Sequence, residues 1–410
     1  MVARPLLILL VLIASAVNCA HAGSDTRFRS IKVTNADLFD APPILRMGTD
    51  DRLIITFDEI GEQPSYLQYR LLHCNADWQP SALIESEYLE GFNSVDIEDF
   101  AFSTATFIHY VNYRIEIPDP QSRLRILHSG NYILQVYDPL DPDEILLQTR
   151  FRVSQNAAAI AGRYDARTDR GFNDEWQQLY LSATVDLSTG ANPYNDFKMQ
   201  VLQNDVASSM REIPSPQRVN GNKLIYEHLP QLIFPAGNEY HRFESVSNSF
   251  PGMNVDSLYY LGGNYHVWLK PDVPMAEREY RYDQTQHGRF LVREYNASDS
   301  DIAADYITVH FLLEMDENED WEIYVDGEMT GGKLDSRNRM TYDSVAGAYT
   351  LQLPLKQGAY NYRYLVRYKD GSIHPLDGNK WETGNQYTML LWHRPPGSRA
   401  DMLIGAETIQ

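Results

Sequence analysis

Short runs in which apolar and polar residues alternate recur along most of this chain, and they constrain its fold more than any single motif. In YVNYRIEI (110–117), Val111, Tyr113, Ile115 and Ile117 share one face while Asn112, Arg114 and Glu116 share the other. Successive side chains of an extended strand point to opposite sides, so this spacing predicts half-buried strands. NYILQVYD (131–138) and LLQTRFRV (146–153) continue the pattern, separated by the turn signal DPLDPDE (138–144). LYLSATVDL (179–187) and FKMQVLQND (197–205) repeat it, with long polar connections between them. It returns in YITVHFLLE (306–314), WEIYVDG (321–327), AYTLQLPL (348–355) and YNYRYLVRY (360–368). The predicted class is all-β and multidomain, with immunoglobulin-like β-sandwiches at both ends and an irregular β-rich middle region. The expected divisions are an N-terminal sandwich over 23–155, the middle region over 156–300, a C-terminal sandwich over 301–395 and a partly ordered tail over 396–410.

Residues 1–22 read as an export signal. Arg4 precedes an apolar run from Leu6 to Val17, followed by Ala20-His21-Ala22, a small-x-small cleavage pattern. The run is too short for a stable membrane span. A competing reading makes Cys19 a lipidated cysteine, but Asn18 is a poor residue in the position before it. The expected mature chain begins near Gly23 and is exported. A formal charge of −21 argues against nucleic acid as a partner.

With Cys19 removed, Cys74 is the only cysteine, so no intramolecular disulfide can form. It stands in LLHCNADWQPS (71–81), where His73, Asp77 and Trp78 lie close in sequence and invite a thiol or metal reading. A thiolate needs a cation beside it, yet neighbours on a strand face opposite ways. The motif reads instead as a strand end, a turn at Asn75-Ala76-Asp77 and a packed Trp78, with Cys74 a buried apolar side chain.

No HExxH, GxSxG, CxxC, Walker or GxGxxG pattern occurs, and no two histidines stand at i, i+4 spacing. The expectation is a protein that is not an enzyme and has no cofactor, catalytic residue or metal site. Two acidic clusters could contribute oxygens to calcium: Asp138, Asp141, Asp143 and Glu144, and Asp316, Glu317, Glu319 and Asp320. Solvated hairpin loops are the plainer reading. WEIYVDGEMTGGK (321–333) with the tyrosine-rich strand that follows resembles carbohydrate-binding sandwich domains related to glycogen recognition. Trp321, however, alternates with Ile323 and Val325, which turns it inward.

Several blocks together resemble the plug proteins of the Bacteroidota type IX secretion system. They are CNADWQPS (74–81), EYLEGF (87–92), FSTATFIHYVNYRIEIP (102–118), SGNYILQVYD (129–138), TRFRV (149–153), FPAGNEYHRFES (234–245), LKQGAYNYRY (355–364) and RPPGSRADMLIG (394–405). The resemblance implies a periplasmic protein that docks on the outer-membrane translocon β-barrel and closes its channel, without itself spanning the membrane. Loops should carry such a contact. Tyr240 and Arg242, residue types that commonly anchor interfaces, are the expected partner-binding residues, with Phe243 in the core.

Overall fold

The computed structural model describes residues 27–188 and 190–410. The export signal expected over 1–22, with Cys19, lies outside the described residues. No helix among the described residues is long and apolar enough to cross a membrane. The chain is all-β and builds three two-sheet sandwiches, each with its own apolar core.

In the first sandwich, one sheet runs in the order Phe28–Asn35, Leu53–Ile60, Tyr110–Ile117 and Phe100–Phe102. The other runs Ile44–Arg46, Asp141–Ser154, Gly130–Asp138, Gln68–Cys74 and Val95–Asp96. Alternation decides what is buried between them: Leu53, Ile55 and Phe57 on one strand, Val111 and Tyr113 on the next, and Tyr132, Leu134 and Val136 opposite. The Phe57 and Tyr113 rings stack with centroids 5.1 Å apart.

The second sandwich begins at Ala159–Asp165 and Trp176–Thr184, whose sheet includes Lys223–Tyr226 and Arg218–Asn220. Its other sheet pairs Arg211–Ile213 with Phe197–Gln203, then crosses to Tyr387–His393 and Met402–Ile409. Everything between Pro235 and Tyr387 is therefore an excursion, and most of it folds as the third sandwich. One sheet there centres on Gly358–Tyr368. The other is ordered Val255–Leu261, Asn264–Leu269, Tyr306–Leu313, Ala348–Lys356 and Thr341–Asp343.

This arrangement departs from the divisions expected at 300 and 395. His241–Ser245 pairs with Gly358–Tyr368, and Asn264–Leu269 runs parallel to Tyr306–Leu313, so strands on both sides of residue 300 share one core. Residues 396–410 are not a loose tail: Met402–Ile409 is an edge strand, and Leu403 and Ile404 are buried. The reason is physical. Alternation reports which face of a strand is buried and carries no information about which strand lies beside it.

The tyrosine strand has the core role its spacing predicts. Tyr360, Tyr362 and Tyr364 are at most 2% exposed, and Tyr360 stacks between Phe243 and Phe290 at 5.1 and 5.3 Å. Ile323 and Val325 are fully buried, whereas Trp321 at the strand's start is half-buried against Tyr368.

Candidate functional site: the seams between the sandwiches

Among the described residues, no group of three or more His, Cys, Asp or Glu side chains is placed to hold a metal ion. Asp138 and Asp141 face each other across a hairpin turn, where Asp138 accepts from the Leu140 N–H at 2.8 Å. Asp320 is paired with Lys369. Polar residues converge at the seams between sandwiches and in a brace of the third sandwich around His241.

The first seam uses the LLHCNADWQPS stretch. Cys74 ends its strand fully buried. His73 is also buried, held by Ser81 Oγ at 2.8 Å and the Ser129 carbonyl at 3.0 Å. Burial pulls its imidazole down to about 4, so it is neutral at ordinary pH. The chain then turns, the Trp78 N–H donating to the Asn75 carbonyl at 2.9 Å and the Asn75 N–H to the Gln79 carbonyl at 2.8 Å. This turn is plugged into the second sandwich. Ala76 is buried beside Leu202, Leu390, Trp392 and Leu403. Its N–H donates to Asp401 Oδ2 at 3.0 Å, and the Asp401 N–H donates back to Asn75 Oδ1 at 3.1 Å. Gln200 accepts from Trp392 Nε1 at 3.0 Å and donates to the Ala76 carbonyl at 3.3 Å. Two blocks 325 residues apart, CNADW and RADMLIG, thus form one clasp. Ala400 is fully buried in it.

Trp78 departs from the expected packed position. It lies half-buried at a left-handed φ of +65°, its ring between the guanidinium groups of Arg150 and Arg152 at 4.7 and 5.4 Å. Its contribution is cation–π stacking on the outside of the first sandwich rather than core filling.

Replacing Asp401 with alanine is expected to cost about 1–3 kcal/mol, because the buried Ala76 N–H loses its acceptor. Chemical denaturation of the two proteins checks this. Asp401→Asn, which keeps a side-chain oxygen, should fall between them.

The seam between the first and third sandwiches is more deeply buried. Asp58 and Lys356 pair at 2.7 Å with side-chain exposures of 0% and 1%. Asp58 also accepts from Tyr306 Oη at 2.7 Å and Asn112 Nδ2 at 2.8 Å. The Lys356 ammonium reaches the Asp301 carbonyl at 2.5 Å and lies 4.1 Å from the Tyr110 ring centroid. Nearby, Asp305 accepts from the Phe107 and Ile108 N–H groups at 2.9 and 3.1 Å, and Tyr110 Oη donates to the Ala304 carbonyl at 2.7 Å. Lys32 donates to the Phe290 carbonyl.

Tyr240 and Arg242, the residues expected to bind a partner, make their contacts within the third sandwich. Tyr240 is 6% exposed, packed against Gly288 with the Arg363 guanidinium 5.6 Å from its ring. A Cβ at position 288 would lie 2.8 Å from the Tyr240 ring, and Gly288 has φ +87°, so only glycine suits that position. Arg242 makes a bidentate pair with Asp283 at 2.7 and 2.9 Å. Phe243 is fully buried, in the core as expected of it. Between these residues His241 bridges Asp272 at 3.1 Å and Asp377 at 3.0 Å. Asp272 also accepts from Tyr362 and Tyr364 at 2.6 and 2.7 Å. The FPAGNEYHRF segment is thus an internal brace.

Comparison with known proteins agrees with this architecture. Residues 28–155, the first sandwich, match the type 9 secretion system plug protein first-domain family. The crystal structure of a hypothetical protein from Parabacteroides merdae ATCC 43184 has a TM-score of 0.90 and 33% identity, covering 94% of this chain and 98% of that one. The comparison with curated proteins gave no match. With the plug domain matched over the whole first sandwich and a relative aligned along nearly the full length, the chain belongs to the type IX secretion system plug protein family.

Proposed function

We infer that this chain is a non-enzymatic periplasmic plug that docks on the outer-membrane translocon barrel of the type IX secretion system and closes its channel from the periplasmic side. The observation that carries the reading is the plug-domain match over residues 28–155. The seams support it physically. A body that blocks a wide channel must resist deformation as a unit, and here sandwiches are fastened by buried polar contacts at Asp401 and at Asp58–Lys356. Separate beads on flexible linkers would deform instead.

The test is reconstitution. Purified translocon barrel in dye-loaded vesicles should leak, and adding the full chain to the periplasmic side should slow the leak in proportion to occupancy. Binding without any change in efflux would leave an accessory protein rather than a plug. Absence of binding would remove the reading altogether.

A further inference from the structure

We propose that the turn at residues 286–289, where the inserted third sandwich meets the second, binds a halide ion, chloride in ordinary solution, on the guanidinium of Arg289. The inference stands apart from the plug reading, since it concerns only how this chain's own sandwiches are joined. The Arg289 N–H closes the turn on the Gln286 carbonyl at 3.1 Å. Arg289 is 8% exposed, and its Nη2 donates to Gln386 Oε1 at 2.7 Å, on the segment that leads back into the second sandwich. Among the described residues no protein group accepts from its buried Nη1.

The neighbouring cations set the comparison. Arg363 pairs with Asp326 at 2.9 Å, Lys32 with Glu328 at 3.9 Å and Arg242 with Asp283 at 2.7 Å. Arg289 has an uncharged amide where each of these has a carboxylate. A buried charge is far more costly than a buried dipole unless a counter-charge meets it. Lys32 feels the same imbalance: burial chiefly, with repulsion from Arg289, holds its ammonium below the ordinary pKa despite attraction from Glu328.

Two further polar atoms without protein partners belong to the same turn. His287 Nδ1 is one, and Tyr240 Oη is the other. Tyr240 packs on Gly288, the residue between His287 and Arg289, so closely that a Cβ there would lie 3.2 Å from the hydroxyl oxygen. Burial, with repulsion from Arg289, lowers the His287 imidazole to about 4, so at ordinary pH it is neutral and carries one N–H. With that proton on Nδ1, the turn offers a guanidinium N–H, an imidazole N–H and a phenol O–H.

These donors select the occupant. A guanidinium nitrogen donates and never accepts, which excludes a metal cation at Arg289. Water could accept from the same groups, but it would leave the guanidinium charge unmatched in a buried place. All three atoms are shut off from solvent. An ion as large as sulfate or phosphate would therefore have to part the seam, whereas a monatomic halide is close to water in size. Bound there, it would tie the third sandwich to the second by charge where Gln386 ties it by a hydrogen bond.

The experiment uses the full chain in sodium chloride and in sodium gluconate of equal ionic strength, gluconate being too large for the turn. The parent's melting midpoint should rise with chloride concentration above its value in gluconate, because a ligand held only by the folded state raises its stability. Arg289→Gln should abolish that difference. Tyr240→Phe, which removes one hydroxyl and keeps the ring, should shift the chloride response to severalfold higher concentration, and it carries the test alone should Arg289→Gln fail to fold. A crystal grown in bromide should show an anomalous peak within hydrogen-bond distance of Arg289 Nη1. Equal midpoints in the two salts, with water in place of the bromide peak, overturn the inference. So does a chloride response that the folded variants leave unchanged, since the halide then acts elsewhere. A bromide peak without any chloride response in solution is an adventitious ion only, and the inference falls with it.

Discussion

Replacing Lys356 with methionine is expected to destabilise the protein by about 3–5 kcal/mol, the range for removing one partner of a buried ion pair. The substitution keeps most of the side chain's volume, so the loss comes from charge rather than a cavity. Asp58 would remain at 0% side-chain exposure with Tyr306 and Asn112 as donors but no cation. Two neutral hydrogen bonds do not repay the solvation that a carboxylate loses on burial. The double variant Asp58→Asn, Lys356→Met should recover a large part of that loss, because neither unpaired charge is left behind. Urea unfolding of the four proteins of this cycle measures the coupling directly. A Lys356→Met variant within about 1 kcal/mol of the parent would mean that water reaches Asp58 and the seam is not dry. In the same seam Asp305 accepts from the Phe107 N–H, and Tyr110 Oη donates to the Ala304 carbonyl.

The strand faces were legible in the sequence, and the seams were not. In LIITFDEI, Leu53, Ile55 and Phe57 alternate inward as their spacing predicts. Asp58, on the opposite face, has the pattern of a solvated residue, yet it is fully buried because the third sandwich covers it. Nothing local to an outward-facing carboxylate announces that another domain will sit on it. The same limit applies to Tyr240, whose aromatic and polar character suits an exposed anchor as well as an internal brace. Cys74 was readable because a lone cysteine at a strand end is most often a buried small side chain. The role of Asn75-Ala76-Asp77 was half readable. Its residue types predict a turn, but the partner Asp401 lies near the other end of the chain. The insertion was hidden for a related reason, since Phe197–Gln203 and Tyr387–His393 pair across an intervening sandwich.

The clasp and the Asp58–Lys356 seam join the first sandwich to each of the other two. The third sandwich adds a brace of its own at the point where the chain enters it from the second. That brace is ionic, and its pH response follows from the geometry.

His241→Ala is expected to be as damaging as Lys356→Met, about 3–5 kcal/mol, because it strips the cation from two aspartates at once. Burial opposes a charge on His241, whose side chain is 8% exposed. Hydrogen bonds and attraction from Asp272 and Asp377 outweigh that burial and raise the imidazole to about 10. A pKa raised above its unfolded value of about 6.5 contributes stability that is complete below that pH and is lost as the pH rises through about 10. Asp272 works in the opposite direction. Burial pushes its carboxyl up, but its bonds and attraction to His241 and its bonds from Tyr362 and Tyr364 leave it below the ordinary value. Its contribution is present above an unfolded pKa of about 3.9 and is lost in more acid solution. The parent should therefore hold its highest melting midpoint from about pH 4 to 6.5 as far as this cluster is concerned, then decline toward pH 10. His241→Asn, which can still bridge by hydrogen bonds, should start lower and show a flatter alkaline limb. Calorimetry from pH 6 to 10 checks both. Parallel alkaline limbs for parent and variant would mean that His241 is already neutral in the folded protein.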